Sequence, residues 1–312
     1  MKHLQLSAAV RRLPQSHVQY LYWEERNSRA AAGYIGEQQV IRLLEELYDG
    51  YRWISGFSYS QHEIDILLIT KHCLFCIEVK NIAGRLDIEQ DKSQLLRTRF
   101  DGMQESFNNP VEQVKRHVRL VERLAGGIPV IGLVVIANPQ TIIGTVPGDV
   151  PVLHMSGLSS MIASSMSHYA SCHVEIEPVY QYFMKLHKPA LRKLPFTESD
   201  FLTGVLCPAC YFNILMVFQH GTFICPSCRL KDRHAYEYAL ADYRLLIGET
   251  MTNKAFRRFC RVDSRNAATR LLRSLERTGD TRGAVYTIPK QIITKHQDLL
   301  FNSSNRWWNS RN

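Results

Sequence analysis

The sequence predicts an α/β chain in which a mostly buried sheet is covered by helices. A small cysteine-rich unit and a basic helical unit should follow. Three observations predict this. Residues 21–137 read in the order helix, three strands, helix, strand. Two matched Cys-Pro-x-Cys pairs are separated by 14 residues. Positive charge is concentrated near the C-terminal end. Helices and strands that each bury one face settle into such layers.

The elements follow in order. Val40, Leu43, Leu44 and Leu47 recur at helical spacing within 21–49, and Gly50 ends that helix. Tyr51–Tyr59, Ile64–Thr70 and Leu74–Lys80 are strand-length runs rich in aromatic and β-branched residues. Asn81 to Gly84 reads as a turn and Arg85–Arg99 as a further hairpin. Pro110 stands at a first helical position, and Val111–Leu124 is an amphipathic helix that stops at Gly126–Gly127. Pro129–Ala137 is nearly continuous in apolar residues, as a buried strand should be. Residues 181–204 hold Pro189, Pro195 and several charges, and read as a connector.

Charge separates the two halves. Residues 1–180 carry 17 basic and 19 acidic side chains, while residues 181–312 carry 21 and 10. Residues 251–312 alone carry 13 and 4. A local positive excess of this kind points to a polyanion, nucleic acid before anionic lipid. The longest apolar stretch, near Ile128–Ala137, is about half the roughly 20 residues a membrane helix needs. The N-terminus lacks the pattern of a secretory signal. These features predict a cytoplasmic protein with no membrane partner, whose eight cysteines are thiols or metal ligands.

Cys207, Cys210, Cys225 and Cys228 have the spacing of a four-thiolate zinc ribbon. Four protein ligands leave no open position, so Zn²⁺ would be structural there. Cys73 and Cys76 are also three apart, but inside a predicted strand such residues face opposite sides. They read as buried thiols.

A second constellation carries chemistry. Asp65 begins one apolar strand, and Glu78 and Lys80 end the next. Antiparallel neighbours bring these ends together, and Glu78 and Lys80 share a face. Two carboxylates suit Mg²⁺, and an adjacent ammonium can position water or offset charge on a phosphate. Glu-x-Lys alone is more often a solvated strand edge. Glu37, early in the preceding helix, and Gln113 and His117, one turn apart on the later helix, strengthen the catalytic reading.

The segments AGYIGEQQV, EIDILLI, FCIEVKNIAG and NPVEQVKRHVRL, in this order, resemble the nuclease-related domain NERD of the PD-(D/E)xK nuclease superfamily. The whole chain is similar to NERD proteins of Bacillus type that append a zinc ribbon and a DNA-binding helical unit. The resemblance implies a restriction-endonuclease-like mixed sheet flanked by helices. It implies that Asp65 and Glu78 bind Mg²⁺ (or Mn²⁺), that Lys80 is the catalytic lysine, that Glu37 is a further acidic member and that Gln113 orients the site or touches substrate. Glu63 stands where the family usually has glutamine.

In the C-terminal unit, Thr252 can cap a helix over Asn253–Cys260 and Ser264 a second over Arg265–Arg277. Ala267, Ala268, Leu271, Leu272 and Leu275 form the apolar stripe of the second. Arg265, Asn266, Thr269, Arg270 and Arg273 lie largely on its other face and are suited to DNA. Residues 281–288, with Arg282 and Gly283 near the tip, resemble the wing of a winged helix. The expected organisation is a helical extension (1–29), a nuclease-like domain (30–180), the connector (181–204), a zinc ribbon (205–232), a winged-helix-like domain (233–290) and a tail (291–312). The expected function is a Mg²⁺-dependent DNA endonuclease or DNA-processing nuclease, in a form compatible with a homodimer. A DNA-binding protein with an inactive nuclease fold and an RNA-directed nuclease are the alternatives.

Overall fold

The computed structural model describes residues 2–47, 50–189, 191, 193–280 and 283–296. The chain forms two compact units, residues 32–190 and residues 1–31 with 191–312. Helix α1 (Lys2–Arg12) is followed by α2 (Tyr20–Glu46), whose residues from 32 onward belong to the first of these units.

In that unit β1 (Arg52–Tyr59), β2 (His62–Ile69) and β3 (Leu74–Lys80) form an antiparallel meander. They are followed by β4 (Gly84–Glu89), β5 (Gln94–Thr98), β6 (Gln104–Asn108), α3 (Pro110–Leu124), β7 (Val130–Ile136), β8 (Thr141–Ile143), β9 (Val152–His154), α4 (Leu158–His168) and α5 (Ile176–Leu186). The main sheet has the order β1-β2-β3-β7-β9, with β3, β7 and β9 parallel. A second sheet has the order β6-β5-β4-β8. The fold is thus mixed α/β, as the sequence predicts.

Both faces of the main sheet are buried. On one, Ile66, Leu68, Phe75, Ile77, Leu133 and Val135 pack with Val40, Ile41 and Leu44 of α2 and with Leu158 and Ile162 of α4. On the other, α3 crosses the sheet obliquely. Its Val111 and Val114 pack with Val134, Ile136 and the second sheet's Leu86, Ile88 and Leu95. Its Val121 and Ala125 pack with Ile54, Phe57, Ile64 and Leu67. Gly132 permits this crossing, because a Cβ there would come within 2.3 Å of Val114 Cγ1. Cys73 and Cys76 are buried in opposite layers, as expected of strand residues and not of a ligand pair.

In the other unit the chain forms β10 (Val217–Gln219), β11 (Thr222–Ile224), β12 (Lys231–Asp232), α6 (Tyr236–Leu246), β13 (Thr250–Thr252), α7 (Asn253–Cys260), α8 (Arg265–Leu271), β14 (Glu276–Thr278), β15 (Val285–Thr287) and α9 (Gln291–Lys295). The small sheets have the orders β10-β11-β12 and β13-β15-β14. Three expectations are corrected. The second basic helix ends at Leu271, not Arg277. After a 3₁₀ turn the chain joins β15, because Leu272 is buried in the core and Glu276–Thr278 find a strand partner. Residue 291 does not begin a structureless tail, since Ile292 and Ile293 of α9 are buried. Residues 181–186 complete α5, where Phe183 is fully buried, so the predicted connector starts too early.

Residues 1–29, set apart in the sequence as an extension, instead supply part of this unit's core. Leu4 and Ala8 join a cluster containing Phe223, Phe256 and Phe259. Leu6, Ala9, Leu13 and Trp23 pack with Phe201. Asp242, fully buried on α6, binds Arg11 Nη2 at 2.6 Å and Arg12 Nε at 2.7 Å. Arg12 also donates to the carbonyls of Gly204 and Leu202. Burial raises the Asp242 carboxyl, but the two guanidiniums outweigh it and hold it below the ordinary carboxylate range.

Asp242→Asn leaves buried guanidiniums short of a counter-charge, so it should cost about 3–5 kcal/mol in denaturant titrations near neutral pH. The depressed carboxyl contributes stability that is complete above about pH 4 and is lost as pH falls through its folded value. The stability gap between wild type and Asp242→Asn should therefore narrow below about pH 4.

Candidate metal and phosphate site

The β1–β2 ladder is interrupted where the site forms. Ser55 pairs with Ile66 and Phe57 with Ile64, and no pairing joins Gly56 to Asp65 between them. Gly56 has φ +61°, a left-handed conformation that costs a residue with a Cβ but not glycine. Ile64 and Ile66, two apart, consequently lie in opposite core layers. The strand rolls over at Asp65 and releases its carboxylate from ordinary alternation. Asp65 Oδ2 then accepts a hydrogen bond from the backbone N–H of Val79 at 2.8 Å. That N–H lies between Glu78 and Lys80, so the three side chains are gathered at one edge, as the sequence predicts.

Glu78 is 2% exposed. Its Oε1 accepts from Lys80 Nζ at 2.5 Å, and its Oε2 is buried with no hydrogen-bond partner among the described residues. Helix α2 closes the edge. Asn81 Nδ2 donates to the carbonyl of Ala32, and a Cβ at Gly36 would come within 2.7 Å of Asn81 Cβ. This close approach brings the Glu37 carboxylate into the electrostatic field of Asp65 and Lys80.

Negative charge is crowded around Asp65. Burial, then Glu78, then Glu37 push the Asp65 carboxyl well above its ordinary range, and Lys80 and the Val79 N–H offset only part of this. Burial lowers Lys80, but Glu78, Asp65 and Glu37 outweigh it and hold the ammonium charged. Asp65 and Glu78 thus share Lys80, and Glu37 adds its negative field to Asp65 and Lys80. The crowding of Asp65 and Glu78, and a Glu78 Oε2 with no hydrogen-bond partner among the described residues, fit a hard divalent cation with oxygen ligands.

The other sequence candidates are placed as follows. Gln113 is half-buried on α3, and no described hydrogen bond ties it to the carboxylates. Glu63 is exposed at the start of β2. His117, one turn beyond Gln113, is 5% exposed and packs edge-on against His62, with ring centroids 5.6 Å apart. Burial, then His62, Arg116 and Lys80, pull His117 down to about 4, so it is neutral at pH 7. Neither the Gly56 break nor the His62–His117 contact was anticipated. The signal for the first was a glycine inside a strand pattern.

The sulfurs of Cys207, Cys210, Cys225 and Cys228 lie within 4.8 Å of one another. Cys207–Cys228 and Cys210–Cys225 are 3.6 and 3.7 Å apart. A tetrahedron with Zn–S bonds of about 2.3 Å has edges of ~3.8 Å, so the cluster is pre-shaped for a metal. Tyr211 and Arg229, at positive φ, turn the chain after each cysteine pair.

In the basic unit, Thr252 Oγ1 caps Ala255 N–H and Ser264 Oγ caps Ala267 N–H, as expected. Arg265, Asn266, Thr269, Arg270 and Arg273 are exposed, while Ala267, Ala268 and Leu272 are buried. Thr269 Oγ1 already donates to the Arg265 carbonyl and accepts from Asn253 Nδ2. Arg282 lies outside the described residues.

Asp65→Asn keeps an oxygen for the Val79 N–H and removes one crowded charge. In chelator it should stabilise the protein by on the order of 1 kcal/mol, or about 2–4 °C in midpoint for a unit of this size. Because the Asp65 carboxyl is raised in the fold, the wild type should lose stability as pH climbs above about 4. The asparagine variant should lose less over the same interval. Thermal melts in EDTA from pH 4 to 8 measure both effects.

Comparison with curated proteins found no match, and comparison with solved structures found none. The family model described as NERD, nuclease-related domain, matches residues 32–137, a segment that contains Glu37, Asp65, Glu78, Lys80 and Gln113.

Proposed function

We propose that this protein is a Mg²⁺-dependent nuclease that hydrolyses phosphodiester bonds in DNA. The observation that carries the reading is Asp65, Glu78 and Lys80 gathered on β2 and β3, with Glu78 Oε2 buried and unpartnered among the described residues. The match of residues 32–137 to the nuclease-related domain supports it.

Asp65 and Glu78 would hold Mg²⁺ or Mn²⁺, with Glu37 as a further acidic group. The ion would supply polarisation of the phosphodiester and a more acidic water. Lys80 stays an ammonium, so it acts by orienting the water and offsetting charge that builds on the phosphate. Gln113 would steady the substrate from α3. Zn²⁺ in the four-cysteine cluster would be structural. In the basic unit the order helix, strand, helix, helix, strand, strand supports a winged helix. Arg265, Asn266, Thr269, Arg270, Arg273 and Arg282 would then contact DNA.

Supercoiled plasmid should be nicked by the wild type with Mg²⁺ or Mn²⁺ but not with EDTA. Lys80→Ala, Asp65→Asn and Glu78→Gln should lower the rate by about 100-fold or more, as loss of a transition-state contact does. Gel shifts by these variants should stay near wild type. Shifts without cutting by any of them would favour a DNA-binding protein with an inactive nuclease fold. Preferential cutting of an RNA competitor would favour an RNA-directed enzyme.

The arginines of the basic unit have their own signature. Arg270→Ala and Arg273→Ala should each reduce the slope of log K against log salt by about 0.9 for duplex DNA. An unchanged slope would remove α8 from the interface.

A further inference from the structure

The candidate catalytic edge is anionic, and so is the unit around it. Residues 32–190 carry 14 basic and 17 acidic side chains. A polyanionic strand will approach three carboxylates only if cations close by hold its phosphates. One row of cations meets that need. Arg116, Arg119 and Arg123 stand on α3 at i, i+3 and i+7, a single stripe, and all three are exposed.

Two features separate this stripe from an ordinary solvated charge run. The first is pairing. Arg52, Arg85, Arg97 and Arg99 of the same unit each hold a carboxylate. Lys115 occupies both Glu112 and Asp149. Among the described residues none of the three stripe arginines makes an ion pair. The second is position. Pro110, the first residue of α3, lines one cavity with Lys80. From there α3 crosses to β1 and β2, and His117 buries itself against the ring of His62, three residues before Asp65. Arg116 and Arg123 both act on His62 electrostatically, which places their charges around the strand end that leads to Asp65.

We propose that Arg116, Arg119 and Arg123 of α3, with His62 beside them, form a track that holds the phosphodiester backbone of the substrate strand next to the Asp65–Glu78–Lys80 edge. This rests on the nuclease reading for what the track delivers, though not for the binding itself. Seven residues of helix span about 10.5 Å, and one strand of duplex DNA carries a phosphate every ~3.4 Å along its axis. The stripe therefore matches about three phosphates. Arginine forks suit phosphate oxygens, and His117 fixes the distance between α3 and β2 as a positioning residue.

The test uses the full chain in EDTA, so that binding is read without cleavage. Fluorescence anisotropy follows 5′-labelled duplex DNA, single-stranded DNA and RNA of one sequence across a salt series. The proteins are wild type, the triple variant Arg116→Ala/Arg119→Ala/Arg123→Ala and the triple Arg→Lys variant. A second set carries Arg270→Ala and Arg273→Ala, which lowers the contribution of the basic unit. The alanine triple should reduce the duplex slope of log K against log salt by about 2.7 in both sets, and the lysine triple should restore most of it. A fall confined to the RNA arm supports the track with RNA as the strand. Equal slopes for wild type and alanine triple in all three arms overturn it. Single Arg→Gln variants, each expected to lower the slope by about 0.9, serve if the triple does not fold. Plasmid nicking separates the two readings. A reduced slope in a protein that never cuts supports the track and removes the nuclease. Unchanged slope and KM in a protein that cuts remove the track and leave the nuclease.

Discussion

Like charge held together inside a fold is the constraint on which the unit of residues 32–190 turns. Glu78 is almost wholly buried, Glu78 and Glu37 both act on Asp65, and Lys80 lies in the field of all three. Such a cluster persists only when the surrounding structure over-determines it. Here the surroundings do. Strands β2 and β3 are locked in a buried sheet with apolar layers on both faces. Helix α2 is seated by the Asn81–Ala32 hydrogen bond and by the missing Cβ of Gly36. The Gly56 break turns Asp65 away from normal strand alternation. The core's stability offsets the electrostatic cost of crowding these carboxylates.

The unit formed by residues 1–31 and 191–312 solves a different problem. It has short strands and small sheets, so little of its order comes from backbone ladders. Its coherence comes from one extended apolar cluster and from a buried carboxylate shared by two arginines. Both oxygens of Asp242 are used, and Arg12 spends further donors on carbonyls. Breaking such a pair costs more than forming it contributes, because the remaining charge stays desolvated. The four cysteines of the same unit have their sulfurs within 4.8 Å of one another, near tetrahedral spacing.

Much of the site was legible because it depends on local spacing. Asp65, Glu78 and Lys80 are brought together by a hairpin and by two-residue periodicity, which the order of apolar runs already specifies. The cysteine pairs and the caps at Thr252 and Ser264 are equally local. The end of the second basic helix was misplaced because helical propensity continued past Leu271 while a strand partner claimed Glu276–Thr278. Gln113 was placed on the right helix, but rotation about a helix axis does not decide how far a side chain reaches.

Alone, the sequence determined the order of elements, the apolar layers, the metal-ligand spacings and the carboxylate–lysine edge, since each follows from contacts between near neighbours in the chain. Tertiary structure decided the rest. It joined Arg11 and Arg12 to an aspartate some 230 residues away, set residues 1–31 with the C-terminal unit, and brought His62 of one strand against His117 of a helix. These are meetings between distant segments. They are chosen by which buried surfaces and charges complement one another, a property of the folded whole that no local pattern encodes.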